Sequence, residues 1–308
     1  MAMFKIGEQT LSGLASVVKT NTGSVSVKPS EMPDKIANIR DSLFNALMNN
    51  TISQEAFNTI CATSKTIPYT HSQYVTEINA PEATAIQGSG IYMARGVQRA
   101  IIPKVATIPA GVFDTALQEI SVGTSGATVN IADNAFGQCI NLTSFNRANG
   151  AVLNLGNDVF KGCLSLKSLE LINDNILLCD LYNTGIEELT LRNIDTAGSG
   201  MGFNPDQRPL NTLKTLIVTG GILQGTYEFN NQLGLTKAFI GSTVDLSAGF
   251  MPFYNCSSSL ELYTDAAEEP ADWSASEWNY ADYDHEIEFT VHYGVTEAQF
   301  RALTGGNS

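Results

Sequence analysis

The sequence predicts an α+β chain: a parallel-sheet solenoid with a small helical module before it and a cap after it. Two observations carry that prediction. The first is a spaced apolar triplet that returns about every two dozen residues. Its clearest copies are Leu166-Leu169-Leu171, Ile186-Leu189-Leu191 and Leu213-Leu216-Val218. Weaker copies are Leu117-Ile120-Val122, Leu142-Phe145 and Leu235-Ala238-Ile240, and the last is Leu260-Leu262 with Ser257 in its lead position. The leads fall at 117, 142, 166, 186, 213, 235 and 257, in steps of 25, 24, 20, 27, 22 and 22. A unit this short cannot bury its own apolar face, so it must stack on its neighbours. The second observation is a shared signature ahead of the triplets, Ala135-Phe136-x-x-Cys139-x-x-Leu142 and Val159-Phe160-x-x-Cys163-x-x-Leu166. An Ile or Leu stands four or five residues before each Phe (Ile108, Ile131, Leu155).

Residues 1–40 follow a different pattern. Leu11, Leu14, Ala15 and Val18 have helical spacing and run into Lys19-Thr20-Asn21-Thr22-Gly23. An extended stretch, Val25–Pro33, precedes a second helix that starts near Pro33 and carries Ile36 and Ile39. This order resembles the short amino-terminal module of many phage tail and tail-associated proteins, matched here by Lys19, Gly23, Pro29, Glu31, Met32, Ile36 and Ile39. The resemblance implies attachment to a particle through Lys19, Gly23, Pro29, Met32, Ile36 and Ile39. Residues 41–74 read as a helical spacer that shields the first rung. Leu43, Leu47, Phe57 and Ile60 are its apolar positions, and Ser53 stands where a helix cap would.

Residues 75–263 form the repeat. Val75-Ile78 and Val97-Ala100-Ile102 extend the triplets backwards by two intervals. The intervals lie in the range of leucine-rich repeats, and the Phe–Cys signature in register with them resembles the BspA-like leucine-rich repeats of bacterial and phage surface proteins. That resemblance implies a non-enzymatic binding surface. Phe113, Phe136 and Phe160 should form a buried aromatic column on the side away from the triplets. The unit at Ile186 lacks the Phe and Cys, and the next is lengthened by a loop from Asn193 to Arg208.

Residues 264–308 read as a cap. An acidic run ends in Pro270-Ala271-Asp272-Trp273, followed by Trp278 and the alternating Ile287, Phe289 and Val291. The order is similar to the closing segment of BspA-like repeat proteins, with Trp273 and Trp278 expected over the open end. Thr296 to Leu303 reads as a short terminal helix with a Thr cap.

Charge narrows the partners. Asp and Glu number 31 against 17 Lys and Arg, a formal net charge of -14. Nucleic acid needs clustered cations that release counterions, so it is not an expected partner. No stretch is long and apolar enough for membrane insertion. The start, Met1–Glu8, lacks the basic and apolar regions of a secretory signal. Of five Cys, Cys139 and Cys163 take equivalent positions in adjacent repeats, where a disulfide is geometrically possible. The odd count and the apolar setting favour buried thiols.

Nothing in the sequence reads as catalytic, and no cofactor or metal is expected. His71, His285 and His292 have no metal-ligand spacing with Cys. Asp282, Asp284, Glu286 and Glu288 do not match a calcium loop. Gly198–Gly202 lacks the Lys-Ser/Thr of a phosphate loop. The expected function is that of a phage virion protein, a tail fibre or tail-associated component, assembled in the host cytoplasm. Other virion proteins would bind its amino-terminal module, and its repeats would adhere to a host-surface glycan or protein. Candidate contacts are Tyr182, Tyr227, Phe229, Phe253 and Tyr254, together with the Asn193–Arg208 insertion. A bacterial cell-surface adhesin and a purely structural decoration protein are the alternatives, and self-association stays open. The missing secretion signal favours the virion over the adhesin.

Overall fold

The computed structural model describes residues 52–67, 74–86, 96–172, 181, 183–195, 210, 212–223 and 229–305. The chain divides into two compact units, Met1–Ala151 and Val152–Ser308. Both are parallel-sheet solenoid built from the predicted triplets. Among the described residues no helix is long and apolar enough to cross a membrane.

In the first unit, helix α1 (Gln54–Thr63) begins at Ser53, whose hydroxyl accepts from the Ala56 amide at 3.3 Å, as its place in the sequence suggests. Each following rung carries two short strands. The first strands, β2 (Glu77–Asn79), β4 (Arg99–Ile102), β6 (Glu119–Val122) and β8 (Ser144–Arg147), make one parallel sheet in that order. Ile78, Ala100, Ile120 and Phe145 align across it, so the second triplet position stays in register over four strands. The other strands, β1 (Thr66–Ile67), β3 (Ala85–Ile86), β5 (Thr107–Ile108) and β7 (Thr128–Ile131), make parallel pairs on another side. That second line of strands is where the Ile before each Phe resides: Ile108 and Ile131 are buried. Phe113 and Phe136, two of the three rings of the predicted aromatic column, stack with centroids 5.9 Å apart.

The turns around each Phe have a common geometry. Two residues before it, Gly111, Asn134, Asp158 and Met251 take positive φ. Two residues after it, Gln138, Gly162, Asn231 and Asn255 do the same. Gly, Asn and Asp tolerate this region best, which explains most of the choices; Met251 is a substitution the structure does not explain.

In the second unit, β9 (Val152–Leu155) leads to a six-stranded parallel sheet. Its order is β10 (Ser168–Ile172), β11 (Glu188–Asp195), β12 (Thr215–Ile222), β13 (Lys237–Ile240), β14 (Glu261–Tyr263) and β15 (Thr290–His292). Leu169, Leu189, Leu216, Ala238 and Leu262 align as second triplet positions and are buried. This register corrects the last predicted triplet by two residues. Leu262 pairs with Ala238, so the lead is Ser259 and the third position is the buried Thr264, while Leu260 fills the core from the turn. A second correction concerns the insertion: Asn193 to Asp195 belong to β11, and residues 196–208 lie outside the described residues. The cap strand is also shorter than the alternating stretch, because Ile287 is exposed and only Thr290–His292 pair with β14.

Trp273 and Trp278 are buried edge to face at 4.8 Å, and the Trp273 indole donates to the Val244 carbonyl at 3.0 Å. Cys61, Cys139, Cys163 and Cys256 carry buried thiols outside any disulfide. Burial pushes the Cys61 and Cys256 thiols up to about 12, so they pack as small apolar groups. Cys179 lies outside the described residues.

Candidate interaction surface

Because side chains alternate along a strand, each triplet that fills the core leaves the residues between facing outward. In the first unit these form a charged ladder. Glu77, Arg99 and Glu119 are register partners, and the Arg99 guanidinium lies 3.6 Å from Glu77 and 3.3 Å from Glu119. Exposed pairs of this kind contribute at most about 1 kcal/mol each. Their consequence is a solvated surface of alternating sign. At the turn after β2, Glu82 accepts from Lys104 at 2.7 Å and Lys65 at 3.4 Å, which holds its carboxyl below the usual range.

The outward face of the second unit is different. Ile217 on β12, Phe239 on β13 and Tyr263 on β14 put a buried apolar strip where the pattern calls for polar residues. The terminal helix α2 (Glu297–Thr304) covers it. This helix forms because Thr296 and Gln299 make a reciprocal capping box and Gly305, at φ 72°, ends it in the left-handed conformation. Its Phe300 is fully buried, 5.6 Å from the Phe239 ring and 5.1 Å from the Tyr263 ring. Tyr263 also stacks on His292 at 4.4 Å.

Two arginines fix the helix beside that strip. Arg192 of β11 donates to both Glu297 oxygens, at 2.6 and 2.8 Å, and also to Glu170 at 2.6 Å and Thr219 at 3.0 Å. Arg301 donates to Glu297 and Glu188, each at 2.9 Å, and to the buried Thr190 hydroxyl at 3.2 Å. The fork of a guanidinium matches a carboxylate at two points, which gives this contact direction as well as energy. Alongside lies an open cleft of about 290 Å³, lined by Ser168, Glu170, Glu188, Thr190, Arg192 and Arg301. Farther along, Lys237 donates to Glu261 at 2.6 Å, which raises the amine above its ordinary range and lowers the carboxyl.

The guanidinium of Arg192, followed by that of Arg301, holds the Glu297 carboxyl at about 2 against 4.5 in an open chain. A lowered folded-state value means the contact stabilises docking above the unfolded value and is lost as pH falls. The docked α2 should therefore weaken as pH drops from about 4.5 towards about 2. Phe300 ring signals followed by NMR should shift in that window; unchanged signals down to pH 2 would contradict the ion-pair account.

The predicted contact residues separate into three groups. Phe229 and Phe253 are fully buried and stack at 5.7 Å, so the structure corrects their assignment: they are core rings in the slot of Phe113 and Phe136. Tyr254 is half-buried and its ring lies 5.1 Å from the exposed Tyr283, a pairing that leaves it at the surface. Tyr182 and Tyr227, and the attachment residues Lys19, Gly23, Pro29, Met32, Ile36 and Ile39, lie outside the described residues. Sequence reasoning missed Arg192, Glu297, Phe300 and Arg301. The one local signal was a Phe between Glu and Arg on the segment read as a short terminal helix with a Thr cap. Among the described residues no group of His, Cys, Asp and Glu is placed to hold a metal ion.

No curated protein matches the chain. The family model described as a BspA type leucine rich repeat region matches residues 84–201 in six copies. The matched residues cover the triplets from Val97 to Leu191, while the sheet register runs on beyond them to β15. Residues 84–201 are therefore a BspA-type leucine-rich repeat region, a repeat domain suited to protein interaction or adhesion.

Proposed function

We propose that this chain is a non-enzymatic adhesive protein of a phage virion, carried on the tail and presenting its repeats to a host-surface glycan or protein. The observation that carries the adhesive part is the BspA-type repeat region, stacked with a solvated outward face. Stacked repeats give an extended surface on which many weak contacts add. The virion part rests on the likeness of residues 1–40 to tail-protein modules, with Lys19, Gly23, Pro29, Met32, Ile36 and Ile39 as attachment positions.

A second reading has its own support: the family match suits a bacterial cell-surface adhesin equally well. An antibody to the chain distinguishes the two. Labelled particles in electron micrographs, with the label lost when the gene lacks residues 1–40, support the virion. Label on intact bacteria and none on particles supports the adhesin.

A further inference from the structure

The face covered by α2 is the outward side of the sheet and not its end. The terminal strand of the sheet is β15, and the two tryptophans are buried against each other, with Trp273 bonded to the Val244 carbonyl. The helix lies instead against β11 to β14, on the side that the triplets turn away from the core. Beneath it, Ile217, Phe239 and Tyr263 interrupt an otherwise polar face with a compact apolar strip. Such a strip ringed by charge has the anatomy of an interface core and its polar rim. Its rim on the β11 side is Glu188, Thr190 and Arg192, alternate residues of one strand, with Thr190 the register partner of Ile217. The connection is short. Gly294, at φ 70°, and Val295 give the last backbone bonds to the body, at 2.7 Å to Ala266 and 2.9 Å to Thr264.

We propose that this strip is a docking site for an amphipathic helix of a partner protein, and that α2 is its built-in competitor. The occupant's chemistry follows from the helix now seated there. It carries a carboxylate for Arg192, then an aromatic ring three residues later for the apolar strip, then a guanidinium for Glu188. Residues spaced three and four apart share one helix face, so one turn supplies all three. The docking mode is a helix laid into an apolar groove. Adhesion through this site rests on the adhesive reading above; docking of the helix does not.

The test uses the full chain and a labelled synthetic peptide of residues 294–305. An unlatched variant, Glu297→Arg with Phe300→Ser, keeps the docking face intact. It should bind the peptide saturably, at least about tenfold more tightly than the unaltered chain, since α2 in cis competes by its effective concentration. A peptide carrying Glu297→Arg should fail to bind, and Arg192→Glu in a chain unlatched by Phe300→Ser alone, where Glu297 then faces a like charge, should restore it. Should the double variant not fold, Glu297→Gln leaves Phe300 seated and should show a smaller gain of the same sign. No peptide binding to a folded, unlatched chain overturns the proposal, whatever the chain does on cells. In a parallel cell-binding assay, the unlatched chain should adhere better and be displaced by excess peptide. Adhesion displaced by free sugars and untouched by peptide would assign the surface ligand to glycan and overturn the partner-helix assignment. Absence of adhesion by either form, with peptide binding intact, would sink the adhesive reading alone.

Discussion

Leu189→Ala should lower the stability of the second unit by about 2–5 kcal/mol. Leu189 is fully buried on β11, with Leu169 and Leu216 as its register partners on the two flanking strands. The removed methyl groups lose their transfer free energy, and the rungs on both sides prevent the space from closing. A fixed strand spacing of about 4.8 Å leaves little room for relaxation, which argues for the upper half of that range. Both tryptophans, Trp273 and Trp278, belong to the second unit, so urea unfolding followed by their fluorescence reports on it directly. A loss below about 0.5 kcal/mol, the scale of a surface substitution, would show that the triplet does not point inward.

The second large effect is expected at Gly221. Asn193 on β11 and Gly220 on β12 both take positive φ, and pairing resumes beyond them at Ile194 and Gly221. The two strands thus kink together, which is how both reach eight residues. Gly221 itself has φ +84°, and a Cβ there would fall onto the Ile194 carbonyl and within 2.7 Å of the Ile194 nitrogen. Gly221→Ala should cost about 1–3 kcal/mol from backbone strain alone, with the displacement of β11 in addition. Gly126→Ala is the control, because Gly126 has φ +75° but nothing within 4 Å of the added Cβ. Thermal unfolding should show a clearly larger loss for Gly221→Ala. Equal losses would mean that β11 and β12 are not held together beyond the kink.

The triplet made the main sheet legible because its apolar positions fill the core rung after rung, the second being buried in every rung but that of the half-buried Phe145. From Ile78 to Phe145 and from Leu169 to Ala238, reading and register coincide. The last rung escaped because Leu260 is also buried, from the turn, and an apolar residue there mimics a triplet position. The second line of strands is two to four residues long, too short to show alternation, and appeared only as an Ile or Leu before each Phe. Phe229 and Phe253 were misread as contacts although the signal was present. Phe229-Asn230-Asn231-Gln232 and Phe253-Tyr254-Asn255-Cys256 repeat the Phe136 turn, left-handed residue included. The partners of the covered face were not legible. Its ion pairs join residues 105 and 113 apart in sequence, and no local pattern announces such partners.

The claim that the outward face of the repeats makes the adhesive contact is tested most directly by mapping it against the opposite strands of the same unit. Arg99→Glu and Glu119→Arg invert exposed charges on that face; Thr107→Arg and Asn130→Arg place charge on the second line of strands. Saturable binding of each folded full-length variant to bacterial cells would be measured beside the unaltered chain. Binding should fall about tenfold or more for the first pair, the scale of losing close charge contacts at an interface, and stay within about twofold for the second. Equal binding by all four variants, or loss confined to the second pair, would place the contact elsewhere and contradict the account.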